Sequence, residues 1–235
     1  MDGELAAFSQ RLKKLSSSVV SDVLDECGYQ HQALSSRIRP LATGMQIAGP
    51  AICFAGSATA ELPAASGKPK LTSYDIDQRV SAGGIVMIAT GGYTVSSVVG
   101  GLMALGFTRK DCGGIVTDGS VRDVTEIIGL GLATFSQSVN PLNSARRWAL
   151  TDMDQSISLP GQDGVAVTIE PLDYVIGDAD GVVVIPRSIA AEVIPWAEHL
   201  AAIEENIVRR MQLGGARADV FKDNPRFLHI RRLKQ

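Results

Sequence analysis

Three apolar runs constrain this chain more than anything else in it: "MQIAGPAICFAGSA", "GGIVMIATGG" and the start of "GGIVTDGSVRDVTEIIGLG", each bounded by glycine and rich in Val, Ile or Ala. A strand with one wet face alternates apolar and polar residues, whereas a strand covered on both faces reads as a continuous apolar run. The runs therefore predict buried strands in a mixed α/β core.

The flanking segments supply the helices. "LAAFSQRLKKLSSSVVSDVLDECG" reads as two, with "SSS" capping the second and Gly28 stopping it. Pro, Gly and Ser mark "ELPAASGKPKLTSYDIDQRVSAG" as a loop holding one short helix around Ile76. Val95 to Gly106 has helical apolar spacing, "LATFSQSV" is a short strand, and "NPLNSARRWALTDMDQ" is a polar loop. "GVAVTIEP", "YVIGD" and "GVVVIP" form a strand-rich block, and a long helix from about Ile189 through Met211 ends at Gly214 and Gly215. No internal repeat is present, and 235 residues suit one domain.

Composition removes several function classes. A net charge of −3 leaves no electrostatic footprint for nucleic acid. The basic tail residues Lys222, Arg226, Arg231, Arg232 and Lys234 suit a solvated end or a subunit contact. Three cysteines without CxxC spacing indicate neither a disulfide framework nor a zinc site. No signal-peptide pattern opens the chain, and no apolar run reaches the roughly eighteen residues of a membrane span, so the expected location is the cytoplasm.

Familiar catalytic motifs are also missing. "AASGKPK" lacks the upstream Gly and the following Ser or Thr of a phosphate loop, and neither GxGxxG nor GxSxG occurs. His31, His199 and His229 stand far apart, and Lys68 and Lys70 sit in a polar loop that would not desolvate an amine. Carboxylate, arginine and glycine remain, and oxygen ligands favour a hard ion such as Mg²⁺ or Mn²⁺.

Attention therefore falls on Arg122, Asp123 and Glu126. If a helix begins near Ser120, the three charges share one face, opposite Val121, Val124, Ile127 and Ile128. Ser120 and Asp123 then have the spacing of an N-cap and its N3 acid, which is the behaviour of an ordinary amphipathic helix. The competing reading is a site, because the charges follow the end of an apolar strand. A turn glycine, Gly119, would let a ligand approach, and Gly100 and Gly101 precede a helix whose free amides could hold an oxyanion. The pattern alone leaves both readings open.

"GGIVTDGSVRDVTEI" together with "GDADGVVVIP" resembles the RraA-like family, named for the regulator of ribonuclease activity A. That family includes the class II 4-hydroxy-4-methyl-2-oxoglutarate/4-carboxy-4-hydroxy-2-oxoadipate aldolases. The resemblance covers about residues 16–186, leaving a C-terminal helix and tail over about 187–235. It implies a three-layer αββα sandwich of the swivelling phosphohistidine-domain type, with flanking N- and C-terminal helices. It also implies trimers or paired trimers with sites at subunit interfaces.

Aldolases of the family carry an acid upstream of an Arg-Asp pair. A related group has Gly there and adds an acid three residues after the Asp. Gly101, Arg122, Asp123 and Glu126 match the second pattern, and the spacing puts Glu126 forward as the replacement acid. The resemblance implies that Asp123 binds Mg²⁺ or Mn²⁺ directly, with Glu126 a ligand directly or through water. Arg122 would contact the substrate's carboxylate or the oxygen at the scissile bond. The amides of Leu102 and Met103 would face the pyruvyl group, with Gly100 and Gly101 leaving room.

The expected activity is a metal-dependent lyase on a 2-oxo acid, either aldol cleavage or oxaloacetate decarboxylation, both through an enolate. The alternative is a non-catalytic regulator that binds a ribonuclease. Arg146 and Arg147 are candidates for reading a second substrate carboxylate, or else belong to a solvated loop.

Overall fold

The structure, a computed structural model, describes residues 3–59 and 71–234. The elements in chain order begin with α1 (Gly3–Leu12), α2 (Ser17–Cys27), β1 (Arg39–Pro40), β2 (Ile47–Ala58), α3 (Ser73–Arg79) and β3 (Ile85–Ala89). They continue with β4 (Ser97–Val99), α4 (Gly101–Thr108), β5 (Gly114–Val121), α5 (Val124–Gly129), β6 (Thr134–Val139) and β7 (Trp148–Met153). The chain closes with β8 (Ile157–Pro160), β9 (Ala166–Ile169), β10 (Tyr174–Gly177), β11 (Val182–Ile185), α6 (Ala190–Gln212) and α7 (Arg217–Asp223).

Alternation along the strands builds the layers. In β3, Ile85, Met87 and Ala89 enter a central cluster, while Val86 and Ile88 face a second cluster that includes Ile76 of α3, Phe107 of α4 and Ile127 of α5. In β10 and β11, Val175, Val182 and Val184 enter the same central cluster, whereas Tyr174, Ile176, Val183 and Ile185 pack against α1, α2 and α6. The result is an α–β–β–α stack with the β8–β9 hairpin contributing Leu159 and Val167 to its middle. Every central strand is covered on both faces, which is why the runs are continuously apolar.

Strand β2 joins the two sheet halves. Residues 47–50 pair antiparallel with β10, residues 51–55 pair parallel with β3, and residues 54–58 pair antiparallel with β7 through a bulge at Ala55/Gly56. Strands β3, β5 and β6 follow in parallel, and β4 adds parallel to the far end of β5.

The N-terminal expectations hold in detail. The Ser16 hydroxyl accepts the Val19 N–H at the start of α2, and Gly28 ends that helix at φ 101°. The helix around Ile76, the strand-rich block and the long C-terminal helix are all present. No described helix is long and apolar enough to cross a membrane.

Four expectations need correction. Ser120 does not cap a helix: β5 runs on through Val121, the Ser120 hydroxyl donates to the Thr94 carbonyl, and α5 starts at Val124 after Asp123. Gly119 is accordingly a strand residue, and a Cβ there would lie 2.8 Å from Thr90 Cγ2, so close packing rather than ligand access explains the glycine. The segment read as one helix from Val95 contains β4, and the polar loop after β6 contains β7. The "AASGKPK" segment with Lys68 and Lys70 lies outside the described residues.

Candidate functional site

Strands β4 and β5 end side by side and each turns into a helix, so two parallel β–α turns open at one edge. Crevices at the carboxyl ends of parallel strands are where α/β sheets gather ligands. The Arg122 N–H donates to the Val99 carbonyl at 3.0 Å, locking the two turns together.

Asp123 then adopts φ 60°, ψ 43°, a left-handed conformation uncommon for a residue other than glycine. Such backbone persists where the surroundings hold it, and points toward function. Its Oδ2 accepts the Gly101 N–H at 2.9 Å and lies 3.5 Å from Arg122 Nε. Both side chains are about a third exposed, 33% and 38%, so this pair orients charge more than it stabilises the fold.

The two glycines of the first turn serve different purposes. A Cβ on Gly100 would stand 2.9 Å from Asp123 Oδ2 and 3.0 Å from Arg122 Nε, displacing the charged pair. A Cβ on Gly101 would stand 3.2 Å from Asp123 Cβ and 3.3 Å from Glu126 Cβ. Glu126 thus roots its side chain beside the position from which an acid at residue 101 would project.

Gly100 is the N-cap of α4, and its carbonyl accepts the Ala104 N–H. Gly101 donates to Asp123, which leaves the Leu102 and Met103 amides as the open donors of the first turn among the described residues. Together the turns place a guanidinium, a carboxylate and two amides at one mouth.

A cleft of about 510 Å³ opens from that mouth. Gly100, Leu102, Met103 and Arg122 line one side, and Asp77, Asn143 and Trp148 line others. Asp123 and Glu126 are not part of its wall. Arg146 and Arg147 do not line it either; both are exposed, and Arg147 Nη1 donates to the Asn143 carbonyl at 3.2 Å. A second cleft of about 580 Å³, with Lys13, Asp111 and Asp178 in its wall, shares no residue with this site.

Among the described residues, no group of three or more His, Cys, Asp or Glu side chains converges as a metal cage. Asp123 and Glu126 supply two carboxylates within one turn, and Gly101 and Arg122 engage only one oxygen of Asp123. That donor set suits a hard ion such as Mg²⁺, which keeps several waters and takes few protein oxygens.

Sequence reasoning missed Asp118. It is 1% exposed, and its carboxylate accepts the Thr90 N–H at 2.6 Å, the Thr90 hydroxyl at 2.9 Å and the Gly92 N–H at 2.7 Å. Asp118 therefore fixes the loop after β3. The signal was available: an acid inside an otherwise apolar strand must find donors or lose its charge.

The model of the family described as RraA-like, Aldolase/RraA, matches residues 17–184. Protein DlpA of Legionella pneumophila is 28% identical over 92% of this chain, which spans only 34% of that protein's length. A Halalkalibacterium halodurans protein, provisionally named a 4-hydroxy-4-methyl-2-oxoglutarate aldolase, is 27% identical over 84% of this chain and 85% of its own. Among solved structures, Streptomyces coelicolor RraAS2, described as an unusual member of the RNase ES inhibitor RraA protein family, superposes with a TM-score of 0.75. It is 26% identical, with 90% of this chain and 98% of that one covered. The strand order, the paired β–α turns and the family match over residues 17–184 agree: this chain belongs to the Aldolase/RraA family.

Proposed function

We propose that the protein is a divalent-cation-dependent lyase that releases pyruvate from a 2-oxo acid, by cleaving a 4-hydroxy-2-oxo acid, by decarboxylating oxaloacetate, or both. The observation that carries this reading is the junction of Arg122, Asp123 and the first turn of α4 at one mouth. Arg122 binds the substrate carboxylate, for which a guanidinium is well matched. The Leu102 and Met103 amides donate to the pyruvyl oxygens, where negative charge grows as the carbon–carbon bond breaks. Gly100 and Gly101 keep the approach to those amides open. Asp123 and Glu126 would hold Mg²⁺ or Mn²⁺, which when bound supplies Lewis-acid polarisation of the 2-oxo group.

The test is pyruvate release by the purified full chain from oxaloacetate and from 4-hydroxy-2-oxo acids, with Mg²⁺, with Mn²⁺ and with chelator. Turnover is expected only with metal, and Asp123→Ala is expected to abolish it. Unchanged turnover in that variant would sink the proposal.

The assembly proposed with this chemistry is a homotrimer or a pair of trimers with the site at subunit interfaces. Supporting it, Leu102 is 86% exposed at the cleft, and Leu105 on α4 and Ile128 on α5 are also exposed. A second reading, binding of a ribonuclease without catalysis, is favoured by the description of the S. coelicolor relative. Inhibition of an RNase E-type enzyme, with no pyruvate formed from any 2-oxo acid, would establish it instead.

A further inference from the structure

Strand β5 changes partners partway along one side. Its residues 114–117 pair with β3, as far as Ile88↔Thr117, whereas Ser120 and Val121 pair with β4. Asp118 and Gly119 fall in the gap between those two ladders, and the pairing of β5 with β6 also slips between Thr117 and Ser120. Residues 90–96 leave β3 at this gap and must return to the same side of β5 in register. The three residues of β4 then lead directly into Gly100 and the first turn of α4.

Backbone N–H groups that leave a ladder need other acceptors. Here the buried Asp118 carboxylate supplies them: Oδ1 accepts the Thr90 N–H and hydroxyl, and Oδ2 accepts the Gly92 N–H. Gly91 and Gly92, at φ 67° and 75°, turn the chain at that point, and Thr90 Oγ1 accepts the Tyr93 N–H at 3.0 Å. Farther on, the Thr94 carbonyl accepts the Ser120 hydroxyl at 3.0 Å and Asn140 Nδ2 at 2.7 Å. The Ser97 N–H donates to the Leu142 carbonyl at 2.9 Å. One side chain thus stands in for the missing stretch of ladder, and the rest of the segment is tied down from there to β4.

We infer that Asp118 is a positioning residue for the site. It sets where residues 90–96 re-enter the sheet, and through β4 where the Leu102 and Met103 amides stand relative to Arg122 and Asp123. The inference rests on the lyase reading above. Asp118 is not in the wall of the cleft, so it acts through the loop rather than on the substrate. Burying a carboxylate costs hydration that its hydrogen bonds offset, so its benefit lies in the place it gives the chain more than in net stability. Strand β5 then governs both turns, leading into Arg122 and Asp123 at its end and anchoring the approach to α4 from Asp118.

Donors aimed at charge that develops during the reaction matter more in the transition state than in the ground state. Displacing them lowers kcat and weakens binding of an enolate mimic, with little change in KM. A residue that served stability alone would lower the unfolding midpoint and produce no such split.

The experiment uses the full chain with Mn²⁺, on oxaloacetate and on 4-hydroxy-2-oxo acids. Oxalate, whose planar dianion imitates the pyruvate enolate, serves as the inhibitor. Each variant is assayed at a temperature where circular dichroism shows it folded. Asp118→Asn keeps the shape but turns one acceptor oxygen into an amide donor, so it cannot hold Thr90 and Gly92 together. It is expected to lower kcat and raise the oxalate Ki by at least about tenfold each, while KM moves by less than about threefold. Thr90→Val removes the hydroxyl link and should show the same split to a smaller degree. Thr90→Ser keeps the hydroxyl and should stay close to wild type. If Asp118→Asn does not fold, the two Thr90 variants decide. A folded Asp118→Asn with wild-type kcat and oxalate Ki, equal kcat in Thr90→Val and Thr90→Ser, or a raised KM at unchanged kcat overturns the inference and leaves the lyase reading standing. Absence of pyruvate from every substrate with the wild type overturns the two together.

Discussion

The Asp123 carboxylate accepts the Gly101 N–H across 2.9 Å, tying the entry of α5 to the first turn of α4. Because Asp123 does so from a left-handed backbone, activity and stability should separate at this residue. Asp123→Ala and Asp123→Gly are both expected to lose pyruvate formation. Glycine adopts φ 60° without the Cβ clash, so Asp123→Gly should be more stable than Asp123→Ala by about 1 kcal/mol. Urea denaturation of the two variants checks this, and equal midpoints would show that the backbone holds no strain.

Glu126 carries the sharper question about the metal. Its Cβ lies 3.3 Å from where a Cβ on residue 101 would stand, so an acid from either position reaches the same region. Glu126→Gln is expected to weaken Mn²⁺ binding and cut kcat at least tenfold, a loss of about 1.4 kcal/mol in transition-state stabilisation. Adding Gly101→Asp to Glu126→Gly, which removes the Glu126 contact and leaves Asp123 Cβ at 3.2 Å, should recover part of both. If Glu126→Gln keeps full affinity and turnover, Glu126 only faces solvent from a short helix and Asp123 works without it.

How much of this was legible beforehand depends on what each residue's neighbours in sequence reveal. Ser16 and Gly28 announce the limits of α2 because capping is a local transaction. Ser120 and Asp123 have capping-box spacing as well, yet Ser120 stays in a strand, because β5 pairs with β4 and β6 at that point. That pairing is long-range and invisible to spacing. Strand β7 hid in a polar segment for a related reason: it pairs with β2 at the sheet's edge, where only Trp148 and Leu150 need burial. Arg122, Asp123 and Glu126 stand out through motif alone, since a resemblance in sequence needs no knowledge of pairing.

The alkaline limb of stability should report Cys53. Burial pushes its thiol up to about 12, with the carboxylates of Asp173, Glu170 and Asp154 adding to the rise. A thiol that holds its proton more tightly when folded contributes stability that is complete below the ordinary thiol range and is lost as pH climbs toward about 12. Cys53→Ala should therefore be about 1 kcal/mol less stable near neutrality, from lost packing. The gap should narrow steadily above pH ~9, where unfolded thiols begin to ionise. Chemical denaturation across that range checks the sign; a widening gap would contradict it.

Self-association should depend on the apolar faces of α4 and α5. Leu105 and Ile128 are 44% and 40% exposed on helices that pack against each other beside the cleft. Leu105→Glu with Ile128→Glu is expected to convert a trimer or hexamer to monomers, read by light scattering, and to lower kcat/KM with them. A wild-type protein that is monomeric at micromolar concentration would remove the interface proposal.

Gly56 offers a test of how tightly the cleft wall is built. A Cβ there would fall 2.1 Å from Trp148 Cζ2 and 2.5 Å from the Ala149 carbonyl oxygen. The indole can shift only by leaving its place in the wall, and the carbonyl belongs to the β2–β7 pairing. Neither neighbour gives way cheaply, so Gly56→Ala should cost about 3 kcal/mol or more, the upper range for overpacking. Gly129→Ala is the matched control: a Cβ there meets nothing within 4 Å. It should be neutral or stabilise by about 0.5 kcal/mol through the unfolded chain. Thermal unfolding of the pair separates crowding from a general dislike of larger side chains at glycine positions, and similar losses in both would show that Gly56 is not held by Trp148.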